Sequence, residues 1–235
     1  MNGMQHRIES RRSFLQTLVR AGSLVLVGCA SSSKAASKVP SKEDAESEAE
    51  VTPGEDLMQE HGVLERILLI YGEAAGRLER KEAFDPRVIA SSAALLRRFV
   101  EDYHEKNEER FIFPRLESAR REVELVATLR RQHERGREVT DEITRLALAG
   151  TNATGLVPLL RAFERMYRPH AAREDTLVFP AFREVVGRSA YRELGEQFED
   201  DEHARFGRHG FENVVAEVTR LETALGLGDL ARFTP

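Results

Sequence analysis

The sequence predicts an all-α protein: an up-down four-helix bundle with additional C-terminal helices. Three observations carry that prediction. Apolar residues recur at helical spacing through four segments between about Glu55 and Pro180. One unit occurs twice, as His104-Glu-Lys-Asn-Glu108-Glu-Arg-Phe-Ile-Phe113-Pro114 and as His170-Ala-Ala-Arg-Glu174-Asp-Thr-Leu-Val-Phe179-Pro180. Each unit follows a helical segment holding one further histidine, in Gln59-Glu60-His61 and Arg131-Gln132-His133. The chain is therefore a repeat of helix pairs, and two hairpins packed antiparallel make a four-helix bundle.

Residues 1–29 read as targeting, outside the fold. Ser10-Arg11-Arg12-Ser13-Phe14-Leu15-Gln16 resembles a twin-arginine export signal, and a modestly apolar stretch from Leu15 to Gly28 follows it. That stretch contains Arg20 and is short for a bilayer span. It closes in Leu26-Val27-Gly28-Cys29, which is similar to a bacterial lipobox, where the cysteine is lipidated and becomes the mature N-terminus. The alternatives are an ordinary signal peptide, or an uncleaved anchor, with an incidental cysteine. Cys29 is the sole cysteine, so an intrachain disulfide and a cysteine-based metal site are both excluded. Residues 30–54 turn to Ser, Ala, Lys and Glu and are expected to form a disordered tether reaching about 25–30 Å from a membrane surface.

The bundle is expected over residues 55–180. Its first helix should run from near Glu55 to about Arg80 and bury Leu57, Leu64 and Leu68. The second starts at Asp85-Pro86, an N-cap followed by a proline at the first helical position, and runs to about Phe111 with Ala93, Leu96 and Val100 on the face of His104. The third lies between about Ala119 and Ala149, with Val126 and Leu129 beside His133 and Gly150 as C-cap. The fourth follows Thr151-Asn-Ala-Thr and places Phe163 and Met166 on the stripe of His170. Pro114 and Pro180 lack an N–H, so each is expected to end its helix. Pro169 stands inside the fourth helix, where it either kinks the chain and re-aims His170 or is simply tolerated. Residues 181–235 should add two amphipathic helices, about Ala181 to Phe206 and Gly210 to Leu225.

A single His-x-x-x-Glu in a chain that is 32% charged is most often a solvated ion pair. Two copies with the same Phe-Pro ending are different. Spacing by four puts imidazole and carboxylate on one helix face. Four imidazoles and two carboxylates then converge from four helices on the bundle core. Buried groups of this kind are costly unless paired or bound to metal, so a metal is the natural occupant. Net charge of −5 and a pI near 5.9 argue against a nucleic-acid surface.

Over roughly Leu57 to Pro180 this pattern resembles the hemerythrin, or HHE cation-binding, domain. The resemblance implies a centre of two non-haem irons held by His61, His104, Glu108, His133, His170 and Glu174, with the two carboxylates bridging. Oxygen-carrying members have a fifth histidine four residues after the third-helix histidine, where this chain has Arg137, and an aspartate at the position of Asp175. The internal repeat favours Glu174 as the ligand, leaving Asp175, like Glu109, to an outer or solvated role. His203 is a remaining candidate for a fifth nitrogen. Tyr103 and Tyr167 either pack or donate to a metal-bound ligand, and Arg137 either meets carboxylates and anions near the site or reaches solvent.

The expected role is binding, sensing or scavenging of a small molecule such as dioxygen or nitric oxide. The alternatives are a di-iron enzyme reducing nitric oxide or peroxide, an iron donor for repair, and a structural or zinc-binding bundle. Localisation is expected on the periplasmic or cell-surface side of a bacterial membrane, held by the lipid anchor alone. The sequence identifies no protein partner.

Overall fold

The computed structural model describes residues 51–150 and 153–234. The export signal, Cys29 and nearly all of the tether lie outside them. The described residues form an all-α bundle with extra C-terminal helices. Helix α1 (Pro53–Arg80) begins in a capping box: Thr52 accepts from the Glu55 N–H, the Glu55 carboxylate accepts from the Thr52 N–H, and Pro53 occupies the first turn, where no N–H is needed. Thus the last residues assigned to the tether are packed. Val51 is buried, and the Gly54 N–H donates to the Tyr191 hydroxyl at 2.9 Å. Lys81 ends α1 in the left-handed region.

Helix α2 starts as Arg87–Leu95 and is helical without a break to Ser118. Its N-cap is Pro86, one residue later than expected, and the Asp85 carboxylate accepts from the Arg87 backbone N–H at 3.0 Å. Two wide π-helical stretches lie within it, Leu96–His104 and Glu108–Ile112, before the closing turns Phe113–Ser118. After a turn with Arg120 and Glu122 at positive φ, α3 runs Val123–Leu148. Helix α4 comprises Ala153–Arg173, a π-helical turn Glu174–Val178 and Phe179–Val186. Helices α1 to α4 pack in a ring, each against the next and α4 against α1. Helix α5 (Arg188–Phe206) lies against α1, α4 and α6, and α6 (Gly210–Ala224) covers α1 and α2.

Pro114 and Pro180 do not end their helices. A π-helical turn precedes each, and the Phe113 and Phe179 N–H groups bond the carbonyls of Glu108 and Glu174, five residues back. The extra residue per turn relieves the clash a proline would make with the preceding α turn. Pro169 brings no break either: the α-helix continues through it, and the widening starts at Glu174.

Leu57, Leu64, Leu68, Ala93, Leu96, Val100, Val126, Leu129 and Phe163 are buried as their spacing predicts, and Met166 is partly so. The core falls into two apolar clusters. One runs from Val63 along α1 with Phe99, Tyr103, Phe163 and Tyr167; the other gathers Leu57, Phe111, Phe113, Val126, Phe179 and Phe198. His61 and its partners form a polar layer between them.

Candidate metal centre

The four histidines and two glutamates come together in that layer. His61, His104, Glu108, His133, His170 and Glu174 are all at most 3% exposed. They form two triads, His61 with His104 and Glu108, and His133 with His170 and Glu174. Within each histidine pair the Nε2 atoms face one another, at 3.0 Å for His61 and His104 and 3.1 Å for His133 and His170.

The opposite ring nitrogens are all held. His61 Nδ1 lies 2.7 Å from Asp175 Oδ1 and His104 Nδ1 2.7 Å from Glu60 Oε2. His133 Nδ1 lies 3.2 Å from Glu109 Oε1 and His170 Nδ1 2.9 Å from Gln132 Oε1. A carboxylate or carbonyl oxygen only accepts, so each Nδ1 carries the hydrogen. In the neutral ring each Nε2 is then a lone pair, and within each pair the two face one another. The repeat explains the supports. The residue before each first-helix histidine (Glu60, Gln132) holds the histidine of the following helix. The residue after each glutamate (Glu109, Asp175) holds the histidine of the next helix round the ring. Phe113 and Phe179 stack on His133 and His61, each with ring centroids 5.6 Å apart.

Each carboxylate spans both histidine pairs. Glu174 lies 3.1 Å from His170 Nε2 and 3.3 Å from His61 Nε2. Glu108 lies 3.5 Å from His133 Nε2 and 3.8 Å from His104 Nε2. None of their four oxygens has a hydrogen-bond partner among the described residues. Eight ligand atoms therefore converge away from water, and only protons or a cation can hold them together. Such a set is strongly unfavourable unless a cation occupies it, and nitrogen with carboxylate oxygen suits iron, zinc or manganese.

The electrostatics agree. Burial, reinforced by His61, holds His104 well below the imidazole range, and burial takes His133 down to about 4. Burial and the adjacent Glu174 push Glu108 well above the carboxylate range. Burial also opposes charge on Glu174, but His170 and His61 outweigh it and hold its carboxyl low. Burial opposes charge on His61 too, yet Asp175 and Glu174 lift it to about 9. A cation takes the place of such protons, so its binding weakens as pH falls.

The other candidates stand outside the layer. Asp175 is on the outer side, at the Nδ1 of His61. His203 is half-buried on α5 and belongs to neither triad. The Tyr103 hydroxyl donates to the Phe198 carbonyl and Tyr167 to Glu105, so neither hydroxyl serves the centre directly. Arg137 is spent on carboxylates: Nη1 reaches Glu105 Oε2 at 2.7 Å and Nη2 reaches Glu109 Oε1 at 3.0 Å. Glu60 and Gln132 are the residues that sequence reasoning left unassigned. Their signal was present, as the same offset before the first histidine of each pair.

The family model for the hemerythrin HHE cation-binding domain matches residues 52–182. The uncharacterized proteins Mb2018 of Mycobacterium bovis and Rv1995 of Mycobacterium tuberculosis are each 42% identical to the chain over 242 residues, covering 99% of it and 91% of each relative. No solved structure matches. The match over more than half the chain, which contains all six converging residues, identifies this protein as a member of the hemerythrin HHE cation-binding family.

Proposed function

We propose that the chain is a non-haem di-iron protein that takes up a small molecule such as dioxygen or nitric oxide, for binding, sensing or scavenging. The observation that supports this best is the sharing of Glu108 and Glu174 between the two histidine pairs, the arrangement expected of carboxylates that bridge two cations. His61, His104, Glu108, His133, His170 and Glu174 would hold the irons. A bound pair of irons supplies open coordination positions and reversible oxidation between ferrous and ferric states. The chain's residues supply the rest. The four oxygens that accept from the Nδ1 hydrogens lock the histidine tautomers, and the two phenylalanines and the apolar clusters exclude water.

Arg137 favours a second reading, reduction of nitric oxide or peroxide. It stands where an oxygen carrier has a fifth histidine, and its guanidinium, paired with Glu105 and Glu109, has no lone pair to offer a metal. Elemental analysis after iron-supplemented, anaerobic purification should give close to two irons per chain. About one iron, or zinc retained in preference, overturns the di-iron reading. Glu108→Ala or Glu174→Ala should lose both irons together if each carboxylate bridges. Optical titration with dioxygen, nitric oxide and peroxide then separates binding from turnover.

Export through the twin-arginine route, with lipid attachment at Cys29, is part of the same proposal. That route carries folded proteins, which suits iron loading before export. No helix among the described residues is long and apolar enough to cross a membrane.

A further inference from the structure

Beside the metal layer, a cleft of about 510 Å³ opens between α2, α3 and α5. Its walls carry Lys106, Arg110, Arg130 and Arg205, against the acidic Glu109 and Asp201, together with Asn107. The local balance is positive on a chain whose net charge is −5. Glu109 adds little free negative charge, because Arg137, Lys106 and His133 already share its two oxygens. Arg130 pairs with Glu117. Arg110 and Arg205 pair with no carboxylate among the described residues: Arg110 lies over the Phe111 ring, and Arg205 donates to the Asp102 carbonyl beside the Tyr103 ring. Asn107, which also lines the cleft, is 6% exposed, and its amide nitrogen is buried with no hydrogen-bond partner among the described residues. A buried N–H left without an acceptor is costly, so this donor calls for one.

We propose that this cleft is a binding site for a small oxyanion, separate from the metal centre. The Asn107 amide donates to one oxygen, and the Arg110 and Arg205 guanidiniums supply charge-assisted hydrogen bonds to the others. Lys106 is a third donor within reach of the same space. Asp201 opposes the anion and limits its affinity.

Calorimetric titration of the full chain with inorganic phosphate, at ionic strength held constant with chloride, tests the site. Saturable one-site binding is expected. Arg110→Ala with Arg205→Ala should weaken it by about tenfold or more, and Asn107→Ala severalfold. Asp201→Asn should tighten it, a gain that damaged folding does not produce. Non-saturable uptake, or phosphate affinity unchanged in both the double variant and Asp201→Asn, overturns the proposal. Metal content measured on the same samples separates this site from the di-iron reading. A chain that retains no metal yet shows this variant pattern keeps the cleft and loses the centre; the reverse result does the opposite.

Discussion

Gly136 precedes Arg137 on α3, and a methyl group there has nowhere to go. A Cβ at this position would stand 1.9 Å from the Tyr167 hydroxyl oxygen and 2.8 Å and 2.9 Å from two ring carbons. The first distance is about 1.5 Å short of the 3.4 Å at which ordinary contact starts. Tyr167 is 1% exposed, stacks on Phe163 and donates to Glu105 Oε1 at 2.7 Å, so its ring cannot step aside while keeping that bond. Gly136→Ala should gain about 1 kcal/mol of helix propensity. Against that stand overpacking, about 1–3 kcal/mol, and the lost hydrogen bond to Glu105, about 1.5–3 kcal/mol. The net is a destabilisation of about 3 kcal/mol, or a melting temperature lower by about 6–12 °C for a domain of this size. Thermal unfolding followed by circular dichroism, at matched metal content, measures it. Tyr167→Phe removes the closest atom, so the double variant should cost less than the sum of the two singles. A Gly136→Ala protein that melts with the parent would refute the reasoning.

Four further outcomes follow from the same geometry. Glu60→Ala leaves His104 Nδ1 without its acceptor and should weaken metal binding by about 10–100-fold with helix content unchanged; competition with a chelator reads this, and equal affinity sinks the supporting role. Gln132→Glu puts a negative charge behind His170 and should lower the reduction potential of the loaded centre, so a potential at or above the parent's counts against it. Burial pushes the Glu101 carboxyl up to about 7 against the opposing pull of Thr140 and Arg97. Between its ordinary value of 4.5 and about 7 the folded chain holds this proton and the unfolded chain does not, so stability falls as pH rises, by about 3 kcal/mol. Urea unfolding should show that the difference between parent and Glu101→Gln varies across this window; a constant difference contradicts it. For export, Arg11→Lys with Arg12→Lys should leave precursor in the cytoplasm and Cys29→Ala should abolish lipid labelling, whereas normal export of the double-lysine protein removes the twin-arginine assignment.

The four helices and the meeting of six side chains were legible because both depend on spacing. His104 and Glu108, or His170 and Glu174, share a face at any helix position, and the repeat supplies the partner helices. What spacing hides is a change in the helix itself. Pro114 and Pro180 read as stops because an α turn has no room for them, but the π-helical turns beginning at Glu108 and Glu174 make that room. The helices consequently run on to Ser118 and Val186. The same widening carries Phe113 and Phe179 onto the imidazoles of His133 and His61. A pairwise motif also hides which acceptor serves which ring. Glu60 adjoins His61 in sequence but holds His104, because a residue next to a ligand on a helix points about 100° away from it, towards the neighbouring helix. Arg137 was ambiguous for a related reason: its sequence position places it beside the layer, but only the packed α2 shows that Glu105 and Glu109 take its donors.

The ring of outer acceptors is nearly two-fold, and its one departure makes the halves of the centre unequal. His61 and His104 are backed by two carboxylates, Asp175 and Glu60. His133 and His170 are backed by Glu109, whose charge Arg137 and Lys106 already draw on, and by the neutral amide of Gln132. A carboxylate behind an imidazole raises the basicity of the far nitrogen more than an amide does. The His61 side should therefore hold a cation more firmly and favour its higher charge, and the His133 side should hold the more labile one. A small anionic ligand would be drawn to the second side, where less negative charge stands behind the histidines. The repeat that built the site thus did not leave it symmetric, and Gln132 carries most of the difference.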